Sequence, residues 1–237
     1  MIPNQTVNKL LKENADHDCL GQNYGGVCVK IVAIAKLPTR FGNFQVVAFQ
    51  NNIDKKEHSA LIKGDVIGKA NITVRIHSEC LTGDGFGSLR CDCRDQLVAS
   101  LEKIEKLGEG VILYLRQEGR GIGFANKIKA YALQDKGYDT IEADKMLGFS
   151  GDERDYHIAA HMLDSLKIKS IKLLTNNPKK IADLKRHGVK VLGRIPLVIA
   201  PNKYNHAYLE TKKRKAGHLL EFPQTHLEQE EKIIVKS

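Results

Sequence analysis

The sequence predicts an α/β fold, in which a mixed β-sheet carries helices on its faces and the N-terminal part is rich in strands. Between residues 27 and 76, short β-branched runs alternate with Gly, Asn and Asp clusters, a pattern typical of successive strands. From residue 95 to 195, strands alternate with helices, which indicates α/β layers. We see no internal repeat or linker. One catalytic domain over residues 25–220 is therefore predicted, with an N-terminal extension at 1–24 and a flexible, charged tail at 221–237.

The N-terminal extension is polar and contains one possible short helix, around Val7, Leu10 and Leu11. The strand-rich part that follows is predicted to hold four strands, over residues 27–34, 44–49, 59–62 and 71–76. A helix comes next, because Leu97, Leu101, Ile104 and Leu107 have helical spacing before Gly108.

The apolar run at 110–115 is typical of a buried strand. A glycine-containing loop at 116–123 then leads into a helix that carries Phe124, Ile128 and Leu133. The remaining predicted elements are a helix over 154–166, a strand over 171–174, a short helix up to 186 and a strand over 190–192.

The chain is basic, with 37 Lys and Arg against 28 Asp and Glu among 237 residues, a net charge of +9. That balance favours a polyanionic partner. Aromatic residues make up only 6% and Trp is absent, so a stacking surface for single-stranded nucleic acid is poorly supplied. No basic and apolar leader is seen, and no apolar run reaches the roughly 20 residues of a membrane helix. We expect a cytoplasmic protein that binds neither nucleic acid nor a membrane.

Three of the five cysteines lie between His77 and Cys93. Cys91 and Cys93 flank a single Asp, so in an extended segment their side chains point the same way, and the glycines after Cys80 let the chain fold back. Three thiolates with one open position are typical of catalytic zinc. A water in that position would have its pKa lowered from about 15.7 to about 7.

Two other interpretations of the cysteines stay open. A closed structural zinc site would need a fourth ligand, for which His77 and Asp84 are the candidates. Inert burial is the second alternative, because free Cys is commonly buried, although the polar Gly, Asp and Arg neighbours do not favour it. A disulfide is disfavoured in a chain without a secretory signal.

Three further segments could bind an anionic ligand. The loop Arg116–Gly123 places glycines and a helix N-terminus where a phosphate could approach, although a plain tight turn fits as well. Residues 148–155 contain an Asp-Glu-Arg cluster at a helix start, which is either a common cap or an arginine fork for phosphate. Residues 174–180 follow a strand, where ligands gather in α/β sheets. The basic run 212–215 is interpreted as a solvated face, and attraction of a charged substrate is the alternative.

Taken together, these motifs closely resemble GTP cyclohydrolase II, the zinc enzyme that opens the riboflavin pathway. The resemblance runs from about Ala35 to Leu220 and implies a single domain of that family. It is carried, in order, by His77–Asp84, Ser88–Cys93, Arg116–Arg120, Asn126–Asp135, Gly148–Phe149, Asp152–Asp155 and Leu174–Lys180.

The resemblance implies one Zn²⁺ per chain on Cys80, Cys91 and Cys93. It implies that Asp152 is the general base, that Tyr131 serves the late hydrolytic step and that Arg154 is a nucleophile on the α-phosphate. A guanidinium is almost always protonated, so a purely electrostatic role for Arg154 stays open. The residues implied in GTP binding are Arg75, Ile76, His77, Ser78, Glu79, Gln96, Glu118, Gly119, Arg120, Thr140, Thr175 and Lys180.

Further expectations follow from the resemblance. Mg²⁺ would accompany the triphosphate, and the protein would be a homodimer. Many relatives carry a fused dihydroxybutanone-phosphate synthase domain, for which this chain is too short, so it is expected to be monofunctional. Arg94 stands where the family often has Gly, and it would be strained if that position required a positive φ.

Overall fold

A computed structural model describes residues 1–15, 26–149, 154–217 and 219. It contains one seven-stranded mixed sheet, in the spatial order β1-β2-β3-β5-β4-β6-β7. The first three strands and β5 pair antiparallel, whereas β4 pairs parallel with β5 and β6, and β6 with β7. The strands are β1 (Val29–Thr39), β2 (Gly42–Asn51), β3 (His58–Lys63), β4 (Ile72–Ser78), β5 (Gly110–Leu115), β6 (Ile171–Leu174) and β7 (Val191–Ile195). The predicted mixed sheet and strand-rich N-terminal part are confirmed.

Helices lie on both faces of this sheet. They are α1 (Asn4–Ala15), α2 (Cys93–Leu107), α3 (Phe124–Gln134), α4 (Thr140–Met146), α5 (His157–Ser165), α6 (Pro178–Arg186) and α7 (His206–Ala216). On one face, Leu101 and Ile104 of α2 pack against Phe44 and Ile112. On the other, the larger core joins the sheet to α5 and to Ile2, and α1 packs on β1. No helix in the described part of the chain is long and apolar enough to cross a membrane.

The direction in which successive parallel strands are added to the sheet reverses at β4. Strand β5 follows β4 in sequence and lies on one side of it, and β6 lies on the other. In open α/β sheets, such a switch point leaves a crevice outside the carboxyl ends of the strands, where ligands bind. The ends of β4, β5 and β6 carry the segments that begin at residues 79, 116 and 175, so the fold brings the predicted motifs to one edge.

The helix predicted over 154–166 begins three residues later than expected. The Asp155 carboxylate accepts a hydrogen bond from the His157 backbone N–H at 2.7 Å, and Asp183 accepts one from the Tyr156 N–H at 3.1 Å. Side-chain bonds of this kind offer the backbone an alternative to helix, so Arg154 lies in an irregular segment before α5. The helices α4 and α7 were not predicted.

Arg94 is accommodated without backbone strain. It is the second residue of α2 and is absent from the described non-glycine residues with positive φ. Its Nη1 donates to the Asp84 carbonyl oxygen at 3.0 Å. An arginine at this position therefore fastens the helix start to the preceding turn.

Candidate functional site

The three predicted metal ligands converge at the end of β4. Cys80 follows the strand, a single π-helical turn covers Leu81–Gly85, and Cys93 opens α2. The sulfurs of Cys80, Cys91 and Cys93 all lie within 4.8 Å of one another, and the thiols are free. Within the described residues, this candidate group includes no His, Asp or Glu. The donor set is therefore three sulfurs, which suits zinc with an open position.

Gly83 forms a cradle for the three sulfurs. A Cβ atom at this position would lie 2.8 Å from Cys91 Sγ and 3.2 Å from Cys80 Sγ. Only a residue without a side chain lets the π-helical turn pass so close to the cluster. The space and the sulfur chemistry fit a zinc ion.

Replacing Gly83 with Ala should weaken zinc binding by about 10- to 100-fold, the range for changes next to metal ligands. The physical reason is that the new methyl group must displace a ligand sulfur. Zinc affinity would be measured by competition with a chelating dye. Gly85→Ala is the matched control, because its Cβ would meet only the Leu81 side chain, at 3.2 Å. Equal affinities for both variants would contradict the cradle.

His77 and Asp84 bind each other rather than completing a closed metal site. The His77 Nε2 lies 3.0 and 3.1 Å from the two Asp84 carboxylate oxygens. The Tyr114 hydroxyl donates to the same carboxylate at 2.8 Å, and the Cys80 backbone N–H donates at 3.0 Å. Burial lowers the pKa of His77 despite the neighbouring carboxylate. Asp84 thus fixes the turn that presents Cys80.

A buried lysine balances the charge of the sulfur cluster. The Lys127 ammonium donates to Cys80 Sγ at 3.1 Å and to Glu118 Oε1 at 2.8 Å. Hydrogen bonds from Cys91 and Cys93, aided by Lys127, lower the pKa of Cys80. The hydrogen bond to Cys80 raises the pKa of Cys91 to about 11. The Lys127 contact therefore stabilises the thiolate form of Cys80.

A cavity of about 540 Å³ opens beside the sulfurs. That volume is in the range of small-molecule sites. Its lining includes the three cysteines and, among the other predicted residues, Arg75, His77, Ser78, Glu79, Gln96, Glu118, Gly119, Arg120, Tyr131, Thr140, Arg154, Thr175 and Lys180. Ile76 is different, because its side chain is packed in the core and its carbonyl accepts from Lys180 Nζ at 2.9 Å. Asp152 lies outside the described residues.

Several cations face the same cavity. Arg75 is buried, and its guanidinium donates to the Leu174 carbonyl at 3.0 Å and to Gln96 Oε1 at 2.5 Å. Burial lowers the pKa of Arg75. Lys180 is also buried. Arg154 lines the cavity, and its guanidinium carbon lies 6.0 Å from the centroid of the Tyr156 ring. This concentration of positive charge suits an anionic ligand.

The loop after β5 has an unusual backbone. Gly119 and Arg120 have φ values of 61° and 59° within a 3₁₀ turn over Glu118–Gly121. Positive φ is costly for a non-glycine residue and clusters at functional sites. Arg120 is held there by an ion pair with Asp144, Nη1 to Oδ2 at 3.4 Å, so the strain is supported by α4.

Tyr131 approaches the cluster from α3. Its hydroxyl lies 3.4 Å from Thr82 Oγ1, which in turn lies 3.7 Å from Cys80 Sγ. The Arg90 guanidinium lies 5.0 Å from the ring centroid. Burial raises the pKa of Tyr131. The phenol therefore stays protonated near the sulfurs and can donate a hydrogen bond.

Sequence reasoning missed three charged residues of the cavity lining, Asp92, Lys127 and Lys212. Lys127 is one helical turn before Tyr131, and that spacing could have placed both on one face. Asp92 and Lys212 form an ion pair at 3.1 Å. The interpretation of 212–215 as a solvated face was wrong for Lys212, whose side chain is only 19% exposed because it reaches Asp92. No local signal identifies that pair.

The chain is similar to several known proteins. The family model for GTP cyclohydrolase II matches residues 30–196. A GTP cyclohydrolase-2 from Campylobacter hominis is 58% identical over 193 residues, covering 81% of this chain and 96% of the relative. One from Picrophilus torridus is 50% identical over 191 residues, covering 81% and 99%. The riboflavin biosynthesis protein RibBA of Synechocystis is 55% identical over 189 residues, 79% of this chain but only 34% of its own length.

Proposed function

The chain belongs to the GTP cyclohydrolase II family, and from that membership we propose that it opens the imidazole ring of GTP. The reaction would release formate and pyrophosphate and give 2,5-diamino-6-(5-phosphoribosylamino)pyrimidin-4(3H)-one. This is the first step of riboflavin biosynthesis. The observation that carries the proposal is the position of three converging sulfurs, which could hold a metal ion, in the same cavity as Arg75, Arg154 and Lys180. One end of the cavity suits a metal, and the cations suit a triphosphate.

Cys80, Cys91 and Cys93 would hold one zinc ion per chain. When bound, zinc would supply Lewis acidity, activating water for attack on the guanine ring and stabilising the developing negative charge. Lys127 supports this chemistry, because its hydrogen bond to Cys80 offsets the negative charge of three thiolates. The His77–Asp84–Tyr114 network keeps the ligand turn in place.

The cations on the other side of the cavity would bind the triphosphate together with Mg²⁺. Arg75 is fixed by Leu174 and Gln96, so its guanidinium is oriented before substrate arrives. Arg154 would bind the α-phosphate and stabilise charge as pyrophosphate leaves. Asp152, by family resemblance, would act as the general base. Glu79, which lines the cavity, is a second carboxylate that could move a proton there.

Incubation with GTP, Mg²⁺ and Zn²⁺ tests the proposal. We expect equal amounts of formate and pyrophosphate and the ultraviolet shift of a diaminopyrimidine. Pyrophosphate without formate would indicate an enzyme that stops at the formamide. Nucleotide binding without either product would indicate a protein that only binds nucleotide. A zinc module for nucleic acid would instead show a steep salt dependence of DNA or RNA affinity.

Tyr131→Phe should slow formate release by about 100-fold or more while pyrophosphate release changes little, since a positioned proton donor contributes about 10²- to 10⁴-fold. The phenol hydroxyl is the group that lies near the cluster, and phenylalanine keeps the ring under Arg90. The two products would be measured in the same time course. Tyr138→Phe, a tyrosine that also lines the cavity and is 42% exposed, is the matched control. An equal slowing of formate and pyrophosphate release in Tyr131→Phe would contradict a specific role of Tyr131 in the late hydrolytic step.

A further inference from the structure

Helix α7 forms one wall of the nucleotide cavity. Tyr204, which precedes it, and Tyr208, Thr211 and Lys212 of the helix all line the cavity. The helix covers His206–Ala216, beyond the residues 30–196 that the family model matches. The site residues that the family resemblance implies include none from this wall. Its contacts have to be interpreted from the structure.

Lys212 connects α7 to the cysteine turn. Its Nζ lies 3.1 Å from Asp92 Oδ1 and 4.2 Å from the centroid of the Tyr208 ring. The next basic residues on the helix behave differently: Lys213 is exposed, and Arg214 is 81% exposed and pairs with Glu210 on the surface. One lysine of the basic run is thus directed into the protein, and it meets a carboxylate that is only 3% exposed.

Asp92 connects Lys212 to the rest of the site. It separates the two metal ligands Cys91 and Cys93, and its second oxygen accepts a hydrogen bond from the Gln96 amide. The other end of Gln96 accepts from Arg75, at 2.5 Å. A continuous series of hydrogen bonds therefore runs from α7, through the cysteine turn, to the arginine proposed to bind the nucleotide.

The charges explain why this series needs a cation. Asp92 is a carboxylate whose side chain is only 3% exposed, and it lies between two of the proposed zinc ligands. Lys212 is the cation within hydrogen-bond distance of Asp92 among the contacts of the described residues. A buried charge that loses its partner is strongly destabilised. Without Lys212, the Asp92 carboxylate would lose its partner and rotate, and Gln96 and Arg75 would lose their orientation.

We infer that Lys212 is a positioning residue for the proposed reaction: through Asp92 it holds the cysteine turn and the Arg75 guanidinium in their working orientation. The expected effect of Lys212 on kcat/KM rests on the proposed function. The inference adds to the predicted site a wall and a lysine that lie beyond the residues matched by the family model. Lys212 acts through Asp92 and needs no contact with the nucleotide.

Lys212→Met tests this inference, with Lys212→Arg and the surface variant Arg214→Met as controls. We expect Lys212→Met to lower kcat/KM by about 10- to 100-fold, as for other residues that support metal ligands. We expect a comparable weakening of zinc affinity and of the affinity for a non-hydrolysable GTP analogue, measured without turnover. Lys212→Arg should recover most of the loss, and Arg214→Met should behave as wild type. Equal values for Lys212→Met and Arg214→Met would overturn the inference.

A double-mutant cycle with Asp92→Asn separates positioning from direct contact with substrate. If Lys212 acts through Asp92, Lys212→Met should cost little in the Asp92→Asn background. Multiplicative losses would overturn the inference, because Lys212 would then act independently of Asp92. If Lys212→Met alone fails to fold, rescue by the double variant supports the pairing and failure of both rejects it. A wild-type protein without formate release would refute the proposed function, while the zinc and analogue affinities would still test Lys212.

Discussion

Replacing Cys91 with serine should leave a folded protein that binds no zinc and releases no formate. Serine is nearly the same size, so the turn can keep its shape, but a hydroxyl is a poor zinc ligand compared with a thiolate. Without the metal, water keeps a pKa near 15.7 instead of about 7. We therefore expect formate release to fall by at least about 1,000-fold. Zinc per chain would be measured by elemental analysis, and formate by an enzymatic assay.

Leu89→Ser is the matched control for this experiment. Leu89 lies in the same turn, is 56% exposed and does not line the cavity. The Leu89→Ser substitution introduces serine two positions before Cys91 and should leave zinc content and activity unchanged. Circular dichroism of both variants would establish that the fold is retained. Full activity with stoichiometric zinc in Cys91→Ser would refute the ligand assignment.

Replacing Arg154 with lysine should lower the rate of pyrophosphate release by about 10²- to 10³-fold, the range for removing one preorganised donor. Lysine keeps the positive charge but loses the planar fork that binds phosphate through two parallel hydrogen bonds. Arg154→Ala should be slower still, because it removes the charge as well. Pyrophosphate would be measured in single-turnover experiments. Arg186→Lys, 71% exposed on α6 and outside the cavity, is the control.

The same variants distinguish electrostatic binding from covalent catalysis by Arg154. A guanidinium is protonated at neutral pH, and Arg75 and Lys180 line the same cavity. We therefore expect no phosphoramidate adduct in the intact mass of wild-type protein quenched during turnover. An adduct that appears in the wild type and disappears in Arg154→Lys would establish the nucleophile and contradict the electrostatic role.

The sequence predicted the sheet well because its signals are local. The run Gly110–Leu115 is apolar at every position after the glycine, and β5 lies buried between β3 and β4. The cysteine spacing likewise predicted that three sulfurs converge, and the structure brings them within 4.8 Å of one another. In both cases a few neighbouring residues determine the result.

The remaining parts of the site depend on contacts between distant segments. Lys212 and Asp92 are 120 residues apart, and Lys127 and Cys80 are 47 apart. In the sequence, Lys212 belongs to a basic run that is ordinary for a surface helix, and its burial follows only from where α7 packs. Helix α4 is seven residues long and has no clear apolar period. Neither the burial of Lys212 nor the presence of α4 therefore produces a pattern that can be recognised in a short stretch of sequence.

The Asp84 carboxylate, which binds His77, Tyr114 and the Cys80 backbone, has a consequence for how the protein would load its ion. These bonds hold the turn closed with protein groups alone. The conformational entropy of ordering the turn is therefore lost when the chain folds and not when the metal arrives. Capture would then be limited by diffusion and by thiol deprotonation rather than by a slow rearrangement of the loop.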